Sequence, residues 1–105
     1  MSRPKRPAHP GRILKQEFME PAGISAYRLA EAAGLSQTLI GGILHGKRGI
    51  TAETALRLER VLGVSARTWL NLQSLYDLEM AQEESGDAIR RTARKLDLRH
   101  PAAAG

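Results

Sequence analysis

Ser25, Ser36, Thr51 and Ser65 each stand at the front of a stretch whose apolar residues recur with helical spacing. A hydroxyl side chain there accepts from the freed amides of a first helical turn. Gly34 and Gly63 follow two of those stretches, where a left-handed residue ends a helix at little steric cost. This punctuation commits the chain to short, separately capped helices. The spacing predicts helices from Gly11 to the Pro21-Ala-Gly stop, over Ala26–Ala33, from about Gln37 to His45, from Thr51 to Gly63, and from Ala66 to about Glu84, where Ser85-Gly86 breaks the last one. Glu53 favours the first turn of the fourth helix, although Thr54 stands where a glutamate would complete a capping box. Alternating β-branched or aromatic runs are absent. The expected fold is all-α, a compact five-helix bundle with short connections.

A chain of 105 residues suits one domain with tails. Residues 1–9 hold Arg3, Lys5 and Arg6 among prolines and read as a flexible basic arm. Residues 10–84 form the domain. Residues 85–105 read as a partly disordered basic tail with a weak basic helix over 87–98. Without Cys there is no disulfide, thiolate zinc site or Cys nucleophile, which fits a reducing cytoplasm. No apolar run approaches the roughly 20 residues of a membrane span, and the basic N-terminus lacks the apolar segment of a secretory signal.

The net charge of +5 is unevenly spread. Arg28, Lys47 and Arg48 make the middle of the chain basic against Glu31. Asp77, Glu79, Glu83 and Glu84 make the fifth helix acidic against Arg67. The basic middle coincides with a spaced set: Leu29, Ala30, Gly34, Leu35, Ile40 and Ile43. A helix-turn-helix needs a small residue at its crossing, a left-handed residue four positions later, and apolar anchors on its second helix. Ala30, Gly34, and Ile40 with Ile43 meet those needs. Such a unit presents the start of its second helix to the major groove. Ser36, Gln37, Thr38, Gly41, Gly42, His45, Lys47 and Arg48 are therefore the candidate DNA contacts. Gln37 can pair with an adenine edge, and Thr38 can meet a thymine methyl or a phosphate. Lys47 and Arg48 suit phosphates, which position rather than specify. Two consecutive glycines inside a helix cost roughly 1 kcal/mol each relative to Ala. Either Gly41 and Gly42 allow close approach to DNA, or this helix is weak and partly frayed.

Four segments in order carry a resemblance: His9-Pro-Gly-Arg-Ile-Leu-Lys, Phe18-Met-Glu-Pro, Gly46-Lys-Arg-Gly-Ile-Thr-Ala-Glu-Thr-Ala-Leu-Arg-Leu, and Trp69-Leu-Asn-Leu-Gln-Ser-Leu-Tyr-Asp-Leu. Over about residues 9–80 the chain resembles the HigA family of antitoxins, helix-turn-helix proteins of the lambda-repressor/Cro-like class. The resemblance implies a homodimer that represses its own operon at a palindromic operator, and a HigB-type, mRNA-cleaving toxin as partner. It implies a core and dimer role for the fifth helix. Trp69, Leu72 and Tyr76 share one face there and are the expected dimer contact. A toxin that handles RNA should be basic, so Asp77, Glu79, Glu83 and Glu84 are candidates for gripping it. The basic N-terminal arm is another. Such a protein would be cytoplasmic and nucleoid-associated when bound to its operator. A stand-alone regulator with the same fold and no toxin is the alternative.

Enzyme chemistry finds no foothold in these residues. His9, His45 and His100 are widely separated, with no i, i+4 His pair for a metal. Nothing encloses the carboxylates of the fifth helix as an acid–base pair. Gly46-Lys47-Arg48-Gly49 lacks phosphate-loop spacing. No catalytic residue, metal or cofactor is expected.

Overall fold

The computed structural model describes residues 8–99, so residues 1–7 of the expected 1–9 arm and the expected disorder of residues 100–105 lie outside the described residues. Those described contain five helices and no strand.

The first helix, α1, joins three consecutive runs, Pro10–Ile13, Leu14–Met19 and Glu20–Ala22. It begins one residue before the sequence reading placed it. His9 caps it, with Nδ1 accepting from the Gly11 amide at 2.9 Å, and Pro10 takes the first helical position. Proline suits that position because its missing N–H would be unpaired there anyway. The middle run is π-helical, with the Glu20 amide donating to the Lys15 carbonyl. The wider turn brings residues five apart onto one face, so Leu14 and Met19 both reach the core.

α2 (Ala26–Ala33) and α3 (Gln37–Leu44) form the helix-turn-helix. Ser25 Oγ accepts from Arg28 N at 3.1 Å, and Ser36 Oγ accepts from Leu39 N at 3.0 Å. Gly34 takes φ +69° between the two helices, and the Leu35 amide reaches back to the Ala30 carbonyl at 2.9 Å. Leu29 and Ala30 share the core with Ile40 and Ile43, and Ala33 is buried beside them in sequence, as the spacing predicts. α4 (Ala52–Leu62) braces this turn. Its Arg57 donates from Nη1 to the Ala33 carbonyl at 3.1 Å and pairs with Glu53. Thr54 is buried, and its hydroxyl accepts from Thr51 Oγ1 at 3.2 Å.

The fifth helix, α5 (Ala66–Thr92), overturns the expected end near Glu84. Ser85 and Gly86 continue the helix instead of breaking it. Propagation from an existing helix adds one hydrogen bond per residue fixed, which offsets a glycine's cost of about 1 kcal/mol. The Arg90 guanidinium covers Gly86, Arg90 pairs with Asp87, and Thr92 Oγ1 donates to the Ala88 carbonyl at 2.7 Å. The basic helix expected over 87–98 is thus the end of α5 as far as Thr92, and residues 93–99 are not helical.

Leu14, Met19, Leu29, Ala30, Ile40, Ile43, Ile50, Ala55 and Leu58 surround Trp69 in one core. It is aliphatic, with Phe18 tilted against Trp69 at a centroid distance of 5.5 Å. No helix is long and apolar enough to cross a membrane among the described residues.

Candidate nucleic-acid interface

Gln37 and Thr38 are exposed on α3, His45 is exposed at its C-cap, and Lys47 and Arg48 are exposed in the loop behind it. Gln37, Gly41 and His45 are spaced by four and share one helical face. Ser36 is exposed, but its hydroxyl is committed to the α3 cap. The His45 ring uses Nδ1 on the Gly41 carbonyl at 2.8 Å, so it closes the C-terminal end of α3 while staying on the surface.

The two glycines of α3 do different work. A Cβ at Gly41 would meet nothing within 4 Å, so this backbone is open to an approaching molecule. A Cβ at Gly42 would stand 3.0 Å from Cγ and 3.1 Å from Cδ of Arg48. Gly42 is small because the Arg48 stem crosses it, an intramolecular reason that the sequence reading did not contain. The Gly42 carbonyl also accepts from the Lys47 amide at 2.8 Å and the Arg48 amide at 3.1 Å. This end of α3 is thus tied to the loop that follows it.

That loop is held on three sides. Ile50, which the sequence reading passed over, is 3% exposed and anchors the loop in the core. Gln73 of α5 accepts from the Ile50 amide at 2.8 Å through Oε1 and donates to Asp77 Oδ1 at 2.9 Å through Nε2. The His9 ring packs edge-on to Tyr76 with centroids 4.9 Å apart and lies against the loop, 3.8 Å from where a Cβ of Gly46 would stand. Burial holds its pKa below the ordinary imidazole value, against the opposing pull of the Asp77 carboxylate and the Arg48 backbone. Gly11 completes the arrangement. A Cβ there would stand 1.8 Å from the Ile43 carbonyl oxygen, so only glycine lets α1 lie against the end of α3. His9-Pro10-Gly11 is thus a docking device: cap, helix start and close contact in consecutive residues.

The result is an exposed polar helix edge continuous with a fixed basic loop. A search of family models matches residues 15–69 to a helix-turn-helix family. The chain is 39% identical over 74 residues to Antitoxin HigA-1 of Vibrio cholerae, covering 70% of this chain and 70% of that protein. It is similar in structure to the Pseudomonas aeruginosa antitoxin HigA solved with the higBA promoter, at TM-score 0.83 and 40% identity, over 88% of this chain and all of that one. The chain belongs to the HigA family of helix-turn-helix antitoxins. Another relative, 50% identical over 76 residues, is Virulence-associated protein I of Dichelobacter nodosus, matched over 72% of this chain and 70% of its own length.

Within this HigA-family chain the other expected site residues fall into two groups on α5. Trp69 has no exposed surface, so its indole belongs to the chain's own core and has none to offer a second copy. Leu72 is half-buried against the same core, and Tyr76 is half-buried beside His9. The surface left uncovered lies elsewhere on the helix. Leu75 is 52% exposed, Leu78 64% and Ile89 52%, and helical spacing places them on one stripe with the exposed Gln82, while Gly86 on the same line is covered by Arg90. Asp77, Glu79, Glu83 and Glu84 are exposed. Asp77 and Glu84, seven apart, share one row, whereas Glu79 and Glu83, four apart, share another row well round the helix from it. Among the described residues no three His, Cys, Asp or Glu side chains gather as a metal site.

Proposed function

We propose that this chain is the antitoxin and autorepressor of a type II toxin–antitoxin pair. The observation that carries the reading is the continuity of the exposed edge Gln37–Thr38–Gly41 with a basic loop fastened to the same helix. Gln37 and Thr38 read bases, while Lys47, Arg48 and His45 hold phosphates. The likeness to an antitoxin HigA solved with promoter DNA supports this assignment. Two copies present two α3 helices to successive major grooves, so the operator is a palindrome with half-sites about one turn apart or a multiple.

Residues 10–84 serve as the DNA-binding and dimerisation domain, with the 85–92 end of α5 contributing to the pairing face. The dimer contact uses the Leu75–Leu78–Ile89 stripe, with Leu72 and Tyr76 at its margin, because an exposed apolar stripe on a long helix is what a partner chain covers. The carboxylates of α5 face a basic, HigB-type toxin, whose chemistry the antitoxin blocks while performing none itself. Its place of action is the cytoplasm, on the nucleoid when bound to the operator.

Co-expression with the adjacent gene tests the reading. The expected result is rescue from a toxic neighbour and a co-purifying complex. Reversal of Asp77, Glu79, Glu83 and Glu84 together should abolish that complex, and unchanged toxin binding would overturn the acidic surface. Operator binding with no toxic neighbour would make the chain a stand-alone regulator.

A further inference from the structure

We propose that Gln73 and His9 are positioning residues of the DNA interface, supporting the basic loop from behind at its two ends. This rests on the DNA-binding reading of the loop and deepens it. Neither residue is on the exposed edge, and neither was among the candidate contacts.

The loop from Gly46 to Ile50 carries Lys47 and Arg48, whose value to DNA depends on where their backbone stands. A mobile loop must be ordered at the moment of binding, and that ordering lowers affinity. Here the far end is fixed by the Ile50 amide on Gln73 Oε1 at 2.8 Å. At the near end the His9 ring stands behind the loop, 3.8 Å from where a Cβ of Gly46 would stand, and is itself backed edge-on by Tyr76. Gly49 fits the same grip, because a Cβ there would be 3.0 Å from Gln73 Nε2. Gln73 suits this role by chemistry. Its amide offers an acceptor and a donor at once, so it can take the Ile50 proton and give its own to Asp77 at 2.9 Å. Asp77 orients that amide. Asp77 thus has an intramolecular duty besides any toxin contact. The grip links α5 and the start of α1 to the loop that follows the recognition helix.

The test uses the full chain and two readouts. Amide hydrogen exchange reports the loop itself, and fluorescence anisotropy with DNA from the chain's own upstream region reports binding. Gln73→Leu should raise exchange at Ile50 by roughly tenfold or more and weaken operator binding by roughly tenfold, while leaving core amides of α2 and α4 protected. Pairing Gln73→Glu with Asp77→Asn reverses donor and acceptor between the two side chains and keeps an acceptor for Ile50. It should restore both readouts, whereas Gln73→Glu alone should not. His9→Asn keeps an N-cap acceptor for α1 but loses the ring that backs Gly46, and should weaken binding without unfolding the chain. Wild-type exchange at Ile50 in Gln73→Leu would overturn the proposal whatever the DNA result. Wild-type affinity despite a loosened loop would also overturn it. Failure of the wild-type chain to bind its upstream DNA would instead remove the DNA reading, and with it the positioning role.

Discussion

Replacing Gly11 by alanine should be far more damaging than its place near the chain's beginning suggests. The added Cβ would lie 1.8 Å from the Ile43 carbonyl oxygen and 2.6 Å from its carbon. Reaching even 3.0 Å from that oxygen requires a separation of 1.2 Å between two packed backbones. Neither side yields easily, since Pro10 and Gly11 are buried and Ile43 is fully enclosed. Overpacking of this kind costs about 3 kcal/mol, at the upper end of the usual range. For a domain of this size that lowers Tm by about 12–24 °C. Gly41→Ala is the matched control, because its Cβ would meet nothing within 4 Å. It should gain about 0.5–1 kcal/mol of helix stability and raise Tm by about 2–8 °C. Thermal melts followed by circular dichroism at fixed protein concentration check both. A Gly11→Ala protein melting within a few degrees of wild type would refute the close docking of α1 on α3.

Three further outcomes follow from the same geometry. Arg48→Ala should weaken binding to all DNA sequences alike and make the salt dependence shallower by about one ion, as for any lost phosphate contact. Ser36→Ala removes the α3 cap seen at 3.0 Å and should cost about 1 kcal/mol in urea unfolding. Because burial depresses the His9 pKa, the folded chain favours the neutral ring. At high pH the ring is neutral in both states and contributes nothing; as pH falls through the ordinary value of 6.5, the unfolded chain takes the proton first. Stability should therefore fall on acidification until the folded ring also titrates, and Tm should drop more steeply for wild type than for His9→Asn.

The helices were legible because their signals are local. Ser25, Ser36, Thr51 and Ser65 each cap the helix they precede through an amide three residues on. The features that hold the interface join residues distant in sequence. Gly11 meets Ile43, Gln73 meets Ile50, and Arg48 crosses Gly42 once the loop has folded back. No spacing rule contains such meetings, although an isolated glycine at a helix start was a visible sign of close approach. The end of α5 was misplaced for the opposite reason: Ser85-Gly86 is a true local stop signal, overridden by helix propagating through it. Trp69 shows a third limit. Periodicity placed it on a face with Leu72 and Tyr76, but which face the chain itself covers depends on α1, whose Phe18 lies against the indole.

Central to the proposed function is an α3 that reads bases while its loop holds phosphates. The most direct measurement is competition anisotropy of wild type and Gln37→Ala against DNA from the chain's own upstream region and a scrambled sequence of the same composition. Wild type should prefer its own upstream DNA by roughly a thousandfold or more. Gln37→Ala should lose about 1–3 kcal/mol on that DNA and almost nothing on the scrambled one. Equal affinity of wild type for the two sequences, or equal losses on both for Gln37→Ala, would contradict it.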